Sequence, residues 1–395
     1  MTDMAEAVRA RAAWSRLTEP GDAVAGAVVA SLGPAQALHW LREVAPAVQR
    51  DGTVDTVGLP EAAASRLGAA VRRWLPRLAT LDPDRDIGLV ERLGGTVVTP
   101  EGPGWPAGLN DLGTAAPFCL WVRGTDRPDL LLARSVAIIG ARACTSYGEH
   151  VAAELAGGVA AAGWTVVSGG AYGVDAAAHR AALQDGRTVA FLAGGVDRCY
   201  PAGNARLLRA VADGGAIASE VPPGSVPAKV RFLQRNRLIA AASRATVVVE
   251  AAWRSGALNT AAHAAGLLRP VGAVPGPVTS AASAGCHRLL RGGVAVCVTD
   301  ASEVLDLAGL AGADLAPEPT GPRRPDDGLD LELRRTLDAL PIRRPAPVAS
   351  LAIAAGLSES EVRSALGRLE LAGLANPVGT GWCRTLVPRE SDGTG

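Results

Sequence analysis

Lysine is almost missing from this chain: Lys229 is the only one among 39 Lys and Arg residues. Such a bias fits an Ala-, Gly- and Arg-rich coding preference as readily as selection for guanidinium chemistry, so arginine abundance alone identifies no site. Paired cysteines are also missing. Cys119, Cys144, Cys199, Cys286, Cys297 and Cys383 contain no C-x-x-C pair and lie far apart. That excludes a zinc ribbon or a small disulfide framework and fits a reducing compartment. No basic-plus-apolar signal peptide opens the chain. The longest uncharged run, Leu155 to Val174, could span a membrane by length. Its glycines mark it instead as helix end, turn, strand and loop. The expectation is a soluble, cytoplasmic protein with no membrane partner.

Net charge is missing too, with 39 Lys and Arg balancing 39 Asp and Glu. Spread evenly, that balance would argue against a nucleic-acid partner. The spread is uneven, because Ser135 to Asp300 holds fifteen basic against nine acidic residues, +6 there and −6 elsewhere. Between Glu220 and Glu250 there is no acidic residue at all, and that gap contains "RFLQRNRLIAAASR". Arg231, Arg235 and Arg237 lie where a helix is expected to begin. A helix N-terminus is already partly positive, so each cation near it costs about 0.3–1 kcal/mol. Some negative charge has to offset this.

At 395 residues and 48% hydrophobic, the chain is long enough for two or three domains. Residues 1–80 read as a small helical domain of the SAM or helix-hairpin-helix kind. Residues 86–305 form the α/β part. The runs "GTVVTP" and "FCLWVRG" come first, then six short apolar runs, most ending in glycine: "SVAIIG", "TVVSGG", "TVAFLAGG", "GAIASEVP", "ATVVVEAA" and "VGAVPG". With helices between them, they predict a parallel or mixed sheet covered on both faces. A Pro- and charge-rich linker occupies 306–328. Residues 329–390 read as a winged helix, with three helices and two wing strands. Ser358 and Glu361 have capping-box spacing, and Val362, Ala365, Leu366 and Leu369 make one apolar stripe. The third helix carries Glu359, Glu361 and Glu370 against Arg363 and Arg368. Such a helix faces phosphates badly, which favours protein contact over DNA readout here.

In doubly wound sheets ligands bind over the carboxyl ends of the strands. Three loops there share one grammar. "AIIGARACTSYG" offers Gly140, Arg142 and Thr145; it is not G-x-G-x-x-G, so a dinucleotide fits poorly. "SGGAYGVDAAAH" offers Ser168, Gly169 and Gly173, with Asp175 in the first helical turn and a helix-face hydrogen bond expected between Asp175 and His179. "EAAWRSGALNTAAHAAG" offers Ser255 and Gly256. Each is weak alone. Together with the basic run between them they point to a polyanion.

These segments, in this order and spacing, resemble the DNA-processing protein A (DprA, Smf) family over roughly residues 90–300. The resemblance implies an extended Rossmann-like core with no enzymatic activity, cofactor or metal. It further implies single-stranded DNA binding, a homodimer through the core, and loading of RecA recombinase onto DNA in natural transformation. The family's G-S-R turn falls on Gly140-Ala141-Arg142, with alanine replacing the usual serine. Its S-G-x-A-x-G-I-D motif falls on Ser168 to Asp175. The basic residue after G-L-D falls on Arg198, with Gly194 in the same loop. F-P-x-R-N-R falls on Phe232 to Arg237, including Arg235, Asn236 and Arg237, with Leu233 in place of proline. On this reading a phosphate chain supplies the charge missing from the 221–249 gap. The competing reading buries one of these arginines against Glu250 or Asp175. An alternative function is a nucleotide-processing enzyme of the lysine-decarboxylase-like (LOG) Rossmann family, but its P-G-G-x-G-T signature is absent. An NAD-dependent oxidoreductase is disfavoured by the missing fingerprint.

Overall fold

The structure, a computed structural model, describes residues 2–51, 61–125, 127–309 and 328–385. The chain divides into two compact units, Met1–Pro317 and Glu318–Gly395.

The first unit is organised by a nine-stranded sheet. Its strands are β1 (Gly95–Val98), β2 (Leu120–Gly124), β3 (Ser135–Ile139), β4 (Thr165–Ser168), β5 (Thr188–Leu192), β6 (Ala216–Ser219), β7 (Ala245–Val248), β8 (Val271–Ala273) and β9 (Val296–Cys297). Their order is β1-β2-β6-β5-β4-β3-β7-β8-β9; β2 alone is reversed, antiparallel to both β1 and β6, and every other pair is parallel. All six short apolar runs read from the sequence contain strands.

Period-two alternation distributes the side chains. Along β3, Val136 and Ile138 join the core made with helices Ser146–Ala161 and Val174–Asp185. Ala137 and Ile139 join the opposite core, made with helices Lys229–Ala242 and Ala257–Gly266. Burial on both faces is why these strands read as continuous apolar runs. The run Leu155–Val174 is divided as expected into helix end, β4 and loop. No single helix among the described residues is long and apolar enough to cross a membrane.

The N-terminal helices Thr2–Leu17, Ala23–Leu32, Pro34–Asp51 and Glu61–Leu78 lie in the same compact unit as the sheet. Trp14 packs edge-on against Trp74 at 5.4 Å and also meets Phe118, just before β2. The Trp121 indole N–H donates to Ser15 Oγ at 3.0 Å.

The second unit has helices Leu331–Ala339, Val348–Ala355 and Glu359–Leu371 and a hairpin of β10 (Ala375–Val378) and β11 (Gly381–Arg384). Its capping box is complete. Ser358 Oγ accepts the Glu361 N–H at 3.3 Å, and Glu361 Oε2 accepts the Ser358 N–H at 2.7 Å. Val362, Ala365, Leu366 and Leu369 are buried in this unit's core.

Topology places the site. From β3 the chain lays β4, β5 and β6 outward on one side, then returns to pair β7 on the other. The carboxyl ends of β3 and β7 therefore flank the switch point, where open α/β sheets bind ligands.

Candidate nucleic-acid interface

At the switch point the protein supplies its own anion. Glu250, just past β7, is 2% exposed. Its Oε2 accepts the Thr145 N–H at 2.9 Å and its Oε1 accepts the Thr145 hydroxyl at 2.7 Å. Thr145 caps helix Ser146–Ala161 by accepting the Gly148 N–H at 3.2 Å. A Cβ on Gly148 would overlap the Glu250 carboxylate, so the glycine permits this approach. The carboxylate thus fills the helix N-terminal position that a nucleotide phosphate takes in Rossmann enzymes. Although Thr145 is on the surface, its N–H and hydroxyl are already occupied.

The β4 loop is braced from beneath. Arg235 is buried, and its Nη1 donates at 2.6 Å to both Gly169 O and Phe191 O. Gly169 has no room for a Cβ over that guanidinium. Asp175 is buried and accepts the N–H groups of Gly169 at 3.1 Å and Ala171 at 3.3 Å. Burial raises its carboxyl pKa, opposed by the nearby Arg235 charge. Burial also pushes Arg235 down to about 10. The expected Asp175–His179 bond does not form. His179 Nδ1 instead meets Thr188 Oγ1 at 2.7 Å, and burial pushes its pKa down to about 3. The orphan N–H groups of the loop compete for Asp175 more strongly than a neighbouring neutral imidazole. Gly173, at φ +74°, takes the N-cap position with no side-chain cap, so Asp175 is a loop clasp and not the helix cap. Ser168 is buried, with its hydroxyl on Ile138 O at 2.7 Å.

The second correction concerns "RNR". Helix Lys229–Ala242 starts before these residues, and Arg235, Asn236 and Arg237 all point inward. Arg237, 3% exposed, forms a bidentate pair with Glu220 at 2.6 and 2.7 Å and donates to Ala115 O at 2.7 Å. Asn236 Nδ2 donates to Gly256 O at 3.3 Å and Asn259 Oδ1 at 3.2 Å, tying this helix to the β7 loop. For these three residues protein groups, not a passing phosphate, supply the partners. Arg231, by contrast, pairs with Glu19 at 2.9 Å near the surface.

The remaining expected residues divide by exposure. Arg142 and Arg198 are exposed, Gly140 is half-buried against Val174, and Gly194 is buried beside Pro227. In the β7 loop Ser255 Oγ accepts the Ala257 N–H at 3.3 Å, and Gly256 is exposed with open space around its Cα.

Aromatic residues are what the sequence reading missed. The Arg142 guanidinium lies over the Phe232 ring at 4.8 Å, and Tyr200 packs beside Phe232 at 6.0 Å. Tyr172 and Tyr200, each 48% exposed, sit in loops following sheet strands, and Tyr147, 41% exposed, sits in the first turn of helix Ser146–Ala161, so all three tyrosines of the chain reach the surface. Tyrosine inside glycine-rich loops was the available signal, since those loops offer no core to bury a ring. An exposed guanidinium over an aromatic ring, with Arg198 exposed in a neighbouring loop and Lys229 exposed at the start of helix Lys229–Ala242, offers flat faces to bases and fixed charge to phosphates.

Comparison with known proteins agrees with this chemistry. A family profile described as DNA recombination-mediator protein A matches residues 96–309. The chain is 45% identical over 381 residues to a putative DNA processing protein DprA of Mycobacterium tuberculosis, covering 93% of this chain and 92% of that protein. It is 37% identical over 257 residues to the protein Smf of Escherichia coli, covering 63% of this chain and 67% of that one. Among solved structures, DNA processing protein A from Streptococcus pneumoniae matches with a TM-score of 0.56 at 29% identity, covering 69% of this chain and 93% of that one.

Proposed function

This chain belongs to the DNA recombination-mediator protein A family, and from that membership we propose that its Rossmann-like core binds single-stranded DNA along the carboxyl edge of the sheet. The observation that carries the reading is the exposed Arg142 guanidinium lying over the half-buried Phe232 ring, with exposed Tyr200 tilted beside it. Bases stack on such a surface whatever their sequence, because every base has a π-face, and the guanidinium fork clasps phosphate. A duplex hides its base faces and gains only the phosphate part. Single strands are therefore the preferred ligand.

The protein acts as a mediator, not an enzyme. It holds a strand, works as a homodimer through the core, and passes the strand to RecA recombinase during natural transformation or recombination. Glu250 supports the non-enzymatic reading, because a nucleoside phosphate at the switch point would have to displace a buried, doubly hydrogen-bonded carboxylate.

Gel shifts with matched single- and double-stranded oligonucleotides test the binding. Parallel incubations with AMP and with NAD, followed by chromatography, test for nucleotide chemistry. The expected result is a clear single-strand preference with both nucleotides recovered intact. Turnover of either nucleotide, or tighter binding to duplex, would contradict the reading.

A further inference from the structure

The carboxyl edge of the sheet continues past Glu250 onto β7 and β8, and there the chain exposes its one solvent-facing tryptophan. Of eight tryptophans, seven are buried or half-buried, while Trp253 is 53% exposed in the loop after β7. Arg288, from helix Ala284–Arg291, holds its guanidinium 5.2 Å from the Trp253 ring centroid. Arg254 and Arg291 are exposed as well.

Among the described residues nothing neutralises this patch. No acidic residue occurs between Glu250 and Asp300, and Glu250 is occupied by Thr145. Among the described residues Arg254, Arg288 and Arg291 have no carboxylate partner. A lone exposed tryptophan needs no explanation. One held by a guanidinium among unpaired arginines is a different object. Cation–π contact pre-orients the ring at little entropic cost, leaving its open surface ready for a second flat group. A ring plus unneutralised guanidinium groups is the combination that grips single-stranded nucleic acid.

We propose that Trp253, Arg254 and Arg288 form a second base-stacking station, engaged only by a strand long enough to run on from the Arg142 site. This inference rests on the single-strand reading proposed above. Tyr200 follows β5 and Trp253 follows β7, with β4 and β3 between them. Three strand spacings make about 14 Å, or about four stacked nucleotide steps. A strand of about three nucleotides spans only about two such steps and fills the first site alone, whereas one of about twenty reaches both.

Affinities of Trp253→Ala, Trp253→Phe and Arg142→Ala for oligothymidylates of about three and about twenty nucleotides test the proposal. Trp253→Ala should weaken the longer strand by about five-fold or more and leave the shorter one unchanged. Trp253→Phe, which keeps a stacking face, should recover part of the loss. Arg142→Ala should weaken both lengths. Unchanged long-strand affinity in Trp253→Ala, with or without a change in oligomeric mass, overturns the proposal and leaves the Arg142 reading standing. Equal losses at both lengths overturn it too, because Trp253 would then belong to the first site. Failure of the wild-type protein to bind either strand overturns the parent reading and this inference together.

Discussion

Arg142 and Arg237 belong to the same basic stretch of fold and live in opposite surroundings. Arg142 is exposed and rests on Phe232, with its donors open to solvent. Replacing it with alanine should weaken single-strand binding by about 1–3 kcal/mol. Lysine should recover only part of that, since an ammonium neither forks nor stacks. Melting temperature should stay near wild type, because an exposed loop arginine supports little packing. Affinity and melting measured on the same preparations check this. Arg237→Ala should do the reverse. It strands the buried Glu220 carboxylate, a loss of about 3–5 kcal/mol that appears as a lowered denaturant midpoint. The two residues look alike in sequence because residue type records charge and not burial. The one clue was Glu220 itself, the last acid before the gap, which turned out to be the missing partner. Tyr172 and Tyr200 were passed over for a related reason. In a chain with 4% aromatics a ring is read first as core, and only the surrounding glycines argue otherwise.

At the scale of elements, the β4 loop and helix Val174–Asp185 form one braced unit over Arg235, Asp175 and His179. This unit makes stability depend on pH in a defined direction. His179 titrates at about 3 in the folded protein, against 6.5 when free, because burial disfavours its charge. Below pH 6.5 the unfolded chain gains a proton that the folded chain refuses. The stabilisation is therefore complete above pH 6.5 and declines as the pH falls toward 3, by up to about 1.4 kcal/mol per pH unit. Asp175, with its pKa raised by burial, acts in the opposite sense. The His179 window runs from pH 6.5 downward, and removing the imidazole isolates its share of the slope. Chemical denaturation across that window should show the slope in wild type and a much flatter one in His179→Gln. A slope shared by both proteins would remove His179 as its source. Strands β3 to β8 were legible in sequence because burial on both faces leaves a short, largely apolar run, in most cases closed by glycine. β9 was not, since its two residues are exposed and carry no such pattern. Nor did sequence reveal that β2 runs antiparallel to β6, because a strand's composition does not encode its direction.

For the whole molecule, zero net charge conceals segregation. The positive surplus lies between Ser135 and Asp300, while the third helix of the C-terminal unit carries Glu359, Glu361 and Glu370 against Arg363 and Arg368. Of these, Arg363 pairs with Glu359 and Arg368 with Asp330, leaving little positive charge free on that helix. Removing residues 318–395 should therefore leave single-strand affinity nearly unchanged in a filter-binding assay. A large loss would give that unit a direct role on DNA.

The most direct test of the central claim, that arginines on the carboxyl edge of the sheet hold a phosphate chain, is single-strand affinity measured across a salt series. Each phosphate neutralised contributes a slope of about −0.7 in log affinity against log salt, so three or more contacts predict a slope steeper than about −2. Arg142→Ala should make it shallower by about one contact. A slope near zero in the wild-type protein would contradict the account, because affinity without counterion release belongs to a small-molecule pocket and not to a strand of phosphates.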